Sequence, residues 1–446
     1  MLMPYSLGAQ VVPAGTGGGG QVEPMQMPAL ETAAPYAIDT GSQARSNVLQ
    51  GSVGFTPAYN WNLFPGLTSV PIDVMSYSIV SSITLDKKDS RLHQTYNYSP
   101  SFTFYQQVTA LNMMDQSASA KLDFRWTPHL TVSGLDTFVK TSNVFNQAGA
   151  LGSGSVSGSL PSSPSDVVDP FMAETSNTVN GNLGYQFHEN DMVGGGGGEN
   201  YMSIPSYGTP GSSSYLEGYD STGEVGSAFY NRRLSLMRTV GVNYQYTRSI
   251  AMFSTETFNV QMHSFLPFFA YKAGKHFSAN IAAGPQFYTQ SVALNATSSS
   301  PASVVSESAW TPAVTASFGW QAGRSSVSAS VSRTVMGGGG LVGAYIYETA
   351  NLHARHQLAR IWTIDVGGDY ADFANSATQG MLSYPGGHSF DAEISLDRTI
   401  GAHFHATIGY QWMYVNYFGS LAQTFDPNSE RAYGTISYNF SRPLGR

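Results

Sequence analysis

Residues 117–126 read Ser-Ala-Ser-Ala-Lys-Leu-Asp-Phe-Arg-Trp, and residues 389–397 read Ser-Phe-Asp-Ala-Glu-Ile-Ser-Leu-Asp. In the first stretch Ala118, Ala120, Leu122, Phe124 and Trp126 alternate with Ser117, Ser119, Lys121, Asp123 and Arg125. In the second, Phe390, Ala392, Ile394 and Leu396 alternate with Ser389, Asp391, Glu393, Ser395 and Asp397. A strand sends successive side chains to opposite faces, so a period of two gives one apolar and one polar face. The pattern spreads outward from these two segments. Ser326–Thr334 sets Val327, Ala329 and Val331 against serines, and Ala432–Phe440 sets Ala432, Gly434, Ile436, Tyr438 and Phe440 against Tyr433, Thr435, Ser437 and Asn439. Looser versions occupy residues 239–246, 277–283, 362–370 and 403–414.

Composition limits what such strands can build. The chain has 446 residues, 11% of them charged, 13% aromatic, with 47 glycines and no cysteine. Soluble domains carry roughly 25% charged residues, so the polar faces here are unusually poor in charge. The absence of cysteine excludes disulfide scaffolds, thiol catalysis and cysteine-ligated metals. A formal net charge of −8 without a basic block excludes nucleic acid as a partner. No apolar run of about 18 residues occurs, so a helical membrane protein is excluded. Low charge, many Tyr, Phe, Gly, Ser and Thr, and strands apolar on one face only point to a single transmembrane antiparallel β-barrel, an all-β fold facing lipid with every second residue.

The connections agree. Short polar turns at 86–90, 127–129, 188–191, 272–275, 321–324, 359–360 and 397–401 alternate with longer Gly/Ser/Pro-rich links at 141–175, 203–224, 291–307, 337–345, 374–387 and 419–429. This is the asymmetry of short periplasmic turns and long extracellular loops. Counting back from the C-terminus gives about eighteen strands, or sixteen if the weak segments 48–60 and 73–86 are not strands. Trp126 and Trp320 precede short turns and Trp362 follows one, as interfacial girdle residues do. Residues 1–45, with Gly17–Gly20 and five scattered prolines, read as a flexible tail, with Leu7-Gly8-Ala9-Gln10 open to reading as a signal-peptide remnant. Residues 46–446 form the barrel.

Arg91-Leu92-His93-Gln94-Thr95, Ser142-Asn143-Val144-Phe145-Asn146-Gln147, Gly226-Ser227-Ala228-Phe229-Tyr230-Asn231, Gly337-Gly338-Gly339-Gly340-Leu341 and the ending Tyr438 to Arg446 resemble a family of predicted bacterial outer-membrane, porin-like β-barrel proteins. The resemblance implies location and fold from about residue 50 onward, and brings no substrate or catalytic residue. One departure is that Phe440 is followed by six residues, whereas an assembly signal usually ends on an aromatic.

The lumen-facing charges are the candidate functional set: Lys121, Asp123 and Arg125, Arg355, Asp365 and Asp369, and Asp391, Glu393 and Asp397. Charges on a pore wall tune solute selectivity, while the alternative is ion pairing that braces a packed lumen. His403 and His405, two apart, are expected to share the lumen face, whereas His353 and His356 point oppositely. Convergent ligands for a metal are not expected. The glycine runs lack the Gly-Lys-Ser/Thr ending of a phosphate loop. Gly194–Gly198 reads as a strand with side chains omitted for close approach, and Gly337–Gly340 as a flexible outer loop. No Gly-x-Ser-x-Gly motif occurs, and neither enzyme activity nor a cofactor is expected.

The expected function is an outer-membrane pore for passive or selective diffusion of small polar solutes through a wet lumen of Ser, Thr, Asn, Gln and Tyr. Barrels of 16–18 strands usually leave an aqueous channel. The alternative is a surface or scaffold protein with a blocked lumen, binding partners or glycans through its long loops. Expected surroundings are the lipid bilayer, lipopolysaccharide and the barrel-assembly machinery, with a homo-oligomer left open.

Overall fold

The computed structural model describes residues 47–63, 71–108, 112–141, 174–206, 218–253, 256–274, 276–294, 303–338, 341–375, 386–417 and 427–444. The tail 1–45 and most of the long links fall outside these residues. Eighteen strands follow in order: β1 (Val48–Trp61), β2 (Val74–Lys88), β3 (Leu92–Tyr105), β4 (Met113–Arg125), β5 (Leu130–Thr141), β6 (Glu174–His188), β7 (Asp191–Ile204), β8 (Tyr219–Ser235), β9 (Arg238–Met252), β10 (Glu256–Ala273), β11 (Phe277–Leu294), β12 (Ser303–Ala322), β13 (Ser325–Gly338), β14 (Leu341–Ala359), β15 (Trp362–Asn375), β16 (Gly387–Ile400), β17 (Phe404–Tyr417) and β18 (Asn428–Pro443). Each pairs antiparallel with its sequence neighbours, and β18 pairs with β1 from Val48↔Pro443 to Trp61↔Glu430, so the sheet closes. The two weak segments are strands β1 and β2, which settles the number at eighteen. No helix occurs among the described residues.

The barrel is apolar outside. Ile408 is 72% exposed and its cross-strand neighbours on the same face, Leu396 and Gly434, also look outward. Phe55, Ile79, Phe102, Leu122, Leu183, Phe265, Ile281, Val331, Leu352, Val366, Ile394 and Ile436 continue this surface around the wall. The buried polar residues Ser76, Ser78, Ser101, Thr103, Asn351 and Gln411 occupy the opposite face. Such an arrangement is the reverse of a water-soluble fold. Inter-strand pairing satisfies backbone groups around the wall, and the β1–β18 ladder closes the sheet. Trp126 (63% exposed), Phe187 and Phe404 stand outward at the short-turn end, as girdle residues.

The glycine run of β7 is a close-approach site. A Cβ on Gly194 would stand 2.4 Å from the Leu183 carbonyl oxygen and 2.4 Å from the Phe229 ring, so the ring fills the space of the missing side chain.

Candidate functional site

The site is the lumen, built from the alternate residues that face inward. On β4, Lys121, Asp123 and Arg125 lie on the face opposite Leu122 and Phe124. Lys121 Nζ is 3.5 Å from Asp123 Oδ2, and His93 of β3, which the charge pattern did not single out, joins Asp86 at 3.2 Å and Asp123 at 3.9 Å. Across β1, the second charged zone runs over β14–β18. Arg355 Nε stands 3.7 Å from Asp365 Oδ1, and His353 Nε2 stands 3.5 Å from Asp369 Oδ1, both pairs lying across the β14–β15 ladder. On β16, Asp391 accepts from Gln411 Nε2 at 2.8 Å, Glu393 accepts from the Tyr433 hydroxyl, and Asp397 accepts from the Thr407 hydroxyl. The five carboxylates Asp365, Asp369, Asp391, Glu393 and Asp397 thus lie on the lumen faces of two adjacent strands.

Sequence reasoning missed Arg431, Tyr433 and Gln411 as members of this zone. Arg431 is buried, in β18, and its guanidinium lies 5.6 Å from the Tyr433 ring centre. Arg431 falls between the link 419–429 and the alternating segment 432–440, and its alternation with outward Ala432 is the signal that places it inward. One expectation is corrected here. His403 is not on a strand face with His405: it lies in the turn before β17, with Nδ1 3.0 Å from the Asn439 carbonyl oxygen and its ring beside Tyr438. Only His405 faces inward, opposite Ser437. Among the described residues no group of three His, Asp or Glu is placed to hold a metal.

A second correction concerns Gly337–Gly340. Gly337 and Gly338 end β13, and this end folds into the lumen rather than forming an outer loop; Gly339 and Gly340 lie outside the described residues. Gln286 of β11 accepts from the Val335 N–H at 2.8 Å and donates to the Val335 carbonyl at 3.1 Å, and Gln290 accepts from the Ala344 N–H at 2.9 Å. Val335 and Ala344 pack with Val260, Met262 and Tyr288, the inward residues of β10 and β11. A Cβ on Gly337 would stand 2.7 Å from Val260 Cβ, and Gly343 has φ +99°, a left-handed conformation that favours glycine. The described part of the β13–β14 hairpin therefore leans inward against the lumen faces of β10 and β11.

The lumen is accordingly not polar throughout. Its short-turn half carries Ser133, Asn180, Ser328, His405 and Ser437 in partly exposed positions. Towards the long-link end the inward residues are buried, and apolar clusters join the serines and threonines: Met202, Ile204, Tyr219, Ala251, Phe258 and Val292 on β7–β11, and Tyr345, Tyr347, Ala371 and Phe373 on β14–β15.

Comparison with known proteins gives no family model that matches the chain and no match among curated proteins. Solved structures do resemble it. The ferric citrate transporter FecA in its unliganded form aligns at 10% identity over 89% of this chain and 79% of its own, with a TM-score of 0.45. The outer membrane protein OpdK from Pseudomonas aeruginosa aligns at 8% identity over 88% and 99%, TM-score 0.38. OccK2 (OpdF) of the same organism, in complex with glucuronate, aligns at 10% identity over 88% and 98%, TM-score 0.39. Likeness at this level is one of barrel form and bears on no residue of the lumen.

Proposed function

We propose that the chain is a pore of the bacterial outer membrane that passes small polar solutes by diffusion, without enzymatic chemistry. The observation that carries this reading is the concentration of ionisable side chains on the lumen faces of β2–β4 and β14–β18, inside a closed wall of eighteen strands. A wall of this strand number encloses space for solutes, whereas one of eight strands is filled by its own side chains. Asp365, Asp369, Asp391, Glu393 and Asp397 outnumber Arg355 and Arg431 in the β14–β18 zone, so the selectivity wall favours cations. Lys121, Asp123 and Arg125 form a nearly balanced group on the other side, with His405 near the short-turn end.

The test is single-channel current of the purified, refolded barrel in a planar bilayer with asymmetric salt. Discrete steps with a reversal potential on the cation side support the reading. A folded barrel that passes no current refutes it. That outcome favours the second reading, a surface protein with a blocked lumen. The burial of inward residues at the long-link end and the packing of the β13–β14 hairpin on the lumen faces of β10 and β11 support this alternative.

A further inference from the structure

The two ends of the barrel carry opposite charge. Among the described residues, seven of the eight short turns bear an exposed Lys or Arg within three residues, β6–β7 being the exception. The exposed carboxylates of this rim are Asp89, which stands 3.8 Å from Lys87, and Glu189. Towards the long links the sign reverses. Glu199 and Glu224 face each other on the outward rows of β7 and β8, with Asp220 four residues beyond Glu224. Arg248 of β9, 3.9 Å from Glu224, is a cation of this end.

The rim cations continue the outward rows of the wall. Lys87 follows Ile83 and Leu85, Arg238 precedes Val240 and Val242, Arg398 follows Ile394 and Leu396, and Arg442 follows Tyr438 and Phe440. Arg232, also outward, stands 4.0 Å from Asp191. Arg238, Arg398 and Arg442 form no ion pair among the described residues. The guanidinium of Arg398 lies over the ring of the girdle residue Trp362, 5.2 Å from its centre. Between these cations the rim is apolar. Leu236, 87% exposed, stands with Leu234 and Met237 at the β8–β9 turn beside Arg238. Leu358 and Ile361 flank Arg360, and Ile400 and Phe404 follow Arg398. Cations set among exposed apolar side chains suit the boundary between acyl chains and headgroups, where the stem stays in apolar surroundings and the charge reaches the phosphate level. A soluble acidic partner would meet the charge alone.

We infer that the short-turn rim is a seat for anionic phospholipid headgroups, held by Arg238, Arg398 and Arg442 on three sides of the barrel. In barrels of this kind the short turns lie on the periplasmic side, so the lipids are those of the inner leaflet. The seat fixes the depth and direction of the barrel, because the acidic long-link end has no such affinity. It goes beyond the pore reading and does not depend on whether the lumen conducts. A Lys or Arg near an anionic surface favours the anionic lipid about fivefold, and the attraction fades within a Debye length.

The test places the full barrel in phosphatidylcholine vesicles with a trace of phosphatidylglycerol or phosphatidylcholine carrying a nitroxide on the acyl chain. Electron paramagnetic resonance then reads the share of each lipid immobilised at the protein. The expected result is an excess of immobilised phosphatidylglycerol for the parent. Arg238→Gln, Arg398→Gln and Arg442→Gln together are expected to remove most of that excess, and the corresponding triple change to lysine to keep it. Lys140→Gln with Arg248→Gln, cations of the other end, is expected to leave it unchanged. Salt at about 1 M, where the Debye length is about 3 Å, is expected to reduce it in the parent. No excess in the parent overturns the seat and leaves the basic rim to a soluble acidic partner. An excess that survives the triple glutamine change, or that falls equally in the Lys140 and Arg248 variant, overturns its assignment to the short-turn rim. If the triple glutamine variant does not fold, the salt series on the parent decides, and an excess that persists at about 1 M overturns the electrostatic seat.

Discussion

Ile408→Arg is the most direct test of which face meets lipid. Ile408 is the outward residue of β17 four positions beyond Phe404, which stands at the short-turn girdle. Four residues at ~3.3 Å each along a strand tilted by ~40° raise it about 10 Å above that girdle. The apolar band of such barrels is about 25 Å tall, so Ile408 lies within a few ångströms of its middle. An arginine at that depth costs roughly 2–4 kcal/mol, falling to about 0–1 kcal/mol at the band's edge. Ala406→Arg, two residues nearer the girdle on the same face, is therefore expected to cost an intermediate amount. Ser437→Arg, which faces inward opposite His405, is expected to cost less than either. The assay is reversible urea unfolding of the barrel from lipid vesicles, followed by tryptophan emission, with the parent and the three variants compared under one condition. If Ile408→Arg unfolds at the parent's midpoint while Ser437→Arg is the damaged variant, the faces are assigned the wrong way round and the lipid-facing argument fails. Loss without depth order, Ala406→Arg as costly as Ile408→Arg, refutes the placement of the girdle.

Further expectations follow from the lumen and wall. Asp391→Asn together with Glu393→Gln removes two carboxylates from the acidic zone; reversal potentials in asymmetric salt are expected to move from cation preference towards zero, and an unchanged potential shows that these residues do not face the conduction path. Gly194→Val places methyls against the Leu183 carbonyl and the Phe229 ring, and overpacking of this kind is expected to cost about 1–3 kcal/mol in the same urea assay, whereas Gly226→Val, whose Cβ meets no atom within 4 Å, is expected to cost less. Arg333 and Glu348 form a partly exposed pair at 2.5 Å on the outer face; a double-mutant cycle to alanine is expected to give a coupling of only about 0.2–1 kcal/mol, and a larger value would show that the pair is shielded from water.

Most of the fold was legible because lipid forbids compromise. An outward charge in the apolar band is costly, so Lys121, Asp123, Asp391 and Glu393 were assigned inward from period two alone, and their positions in the barrel agree. The count of eighteen stayed open because β1 places Gly51 and Pro57 on its outward row and β2 places Val74 and Val80 on its inward row, which blurs both strands while leaving their pairing intact.

The hairpin was not legible for a different reason, and β10 shows why. Between Phe265 and Phe269 both rows are apolar, Phe265 and Phe269 outward and Leu266 and Phe268 inward, but above Ser264 the outward row turns polar: Phe258, Val260 and Met262 point into the lumen while Asn259, Gln261 and His263 point out. Above the lipid band the outer face meets polar surroundings and may carry polar side chains without penalty, and the inner face meets whatever fills the lumen. A strand whose outward row switches from apolar to polar while its inward row stays apolar therefore marks both the upper edge of the band and a region where the lumen face is covered. That switch was present in the sequence. What no local pattern contained was the identity of the occupant, because it depends on β13 parting from β12 beyond Arg333 and on Val335 meeting Gln286, forty-nine residues upstream.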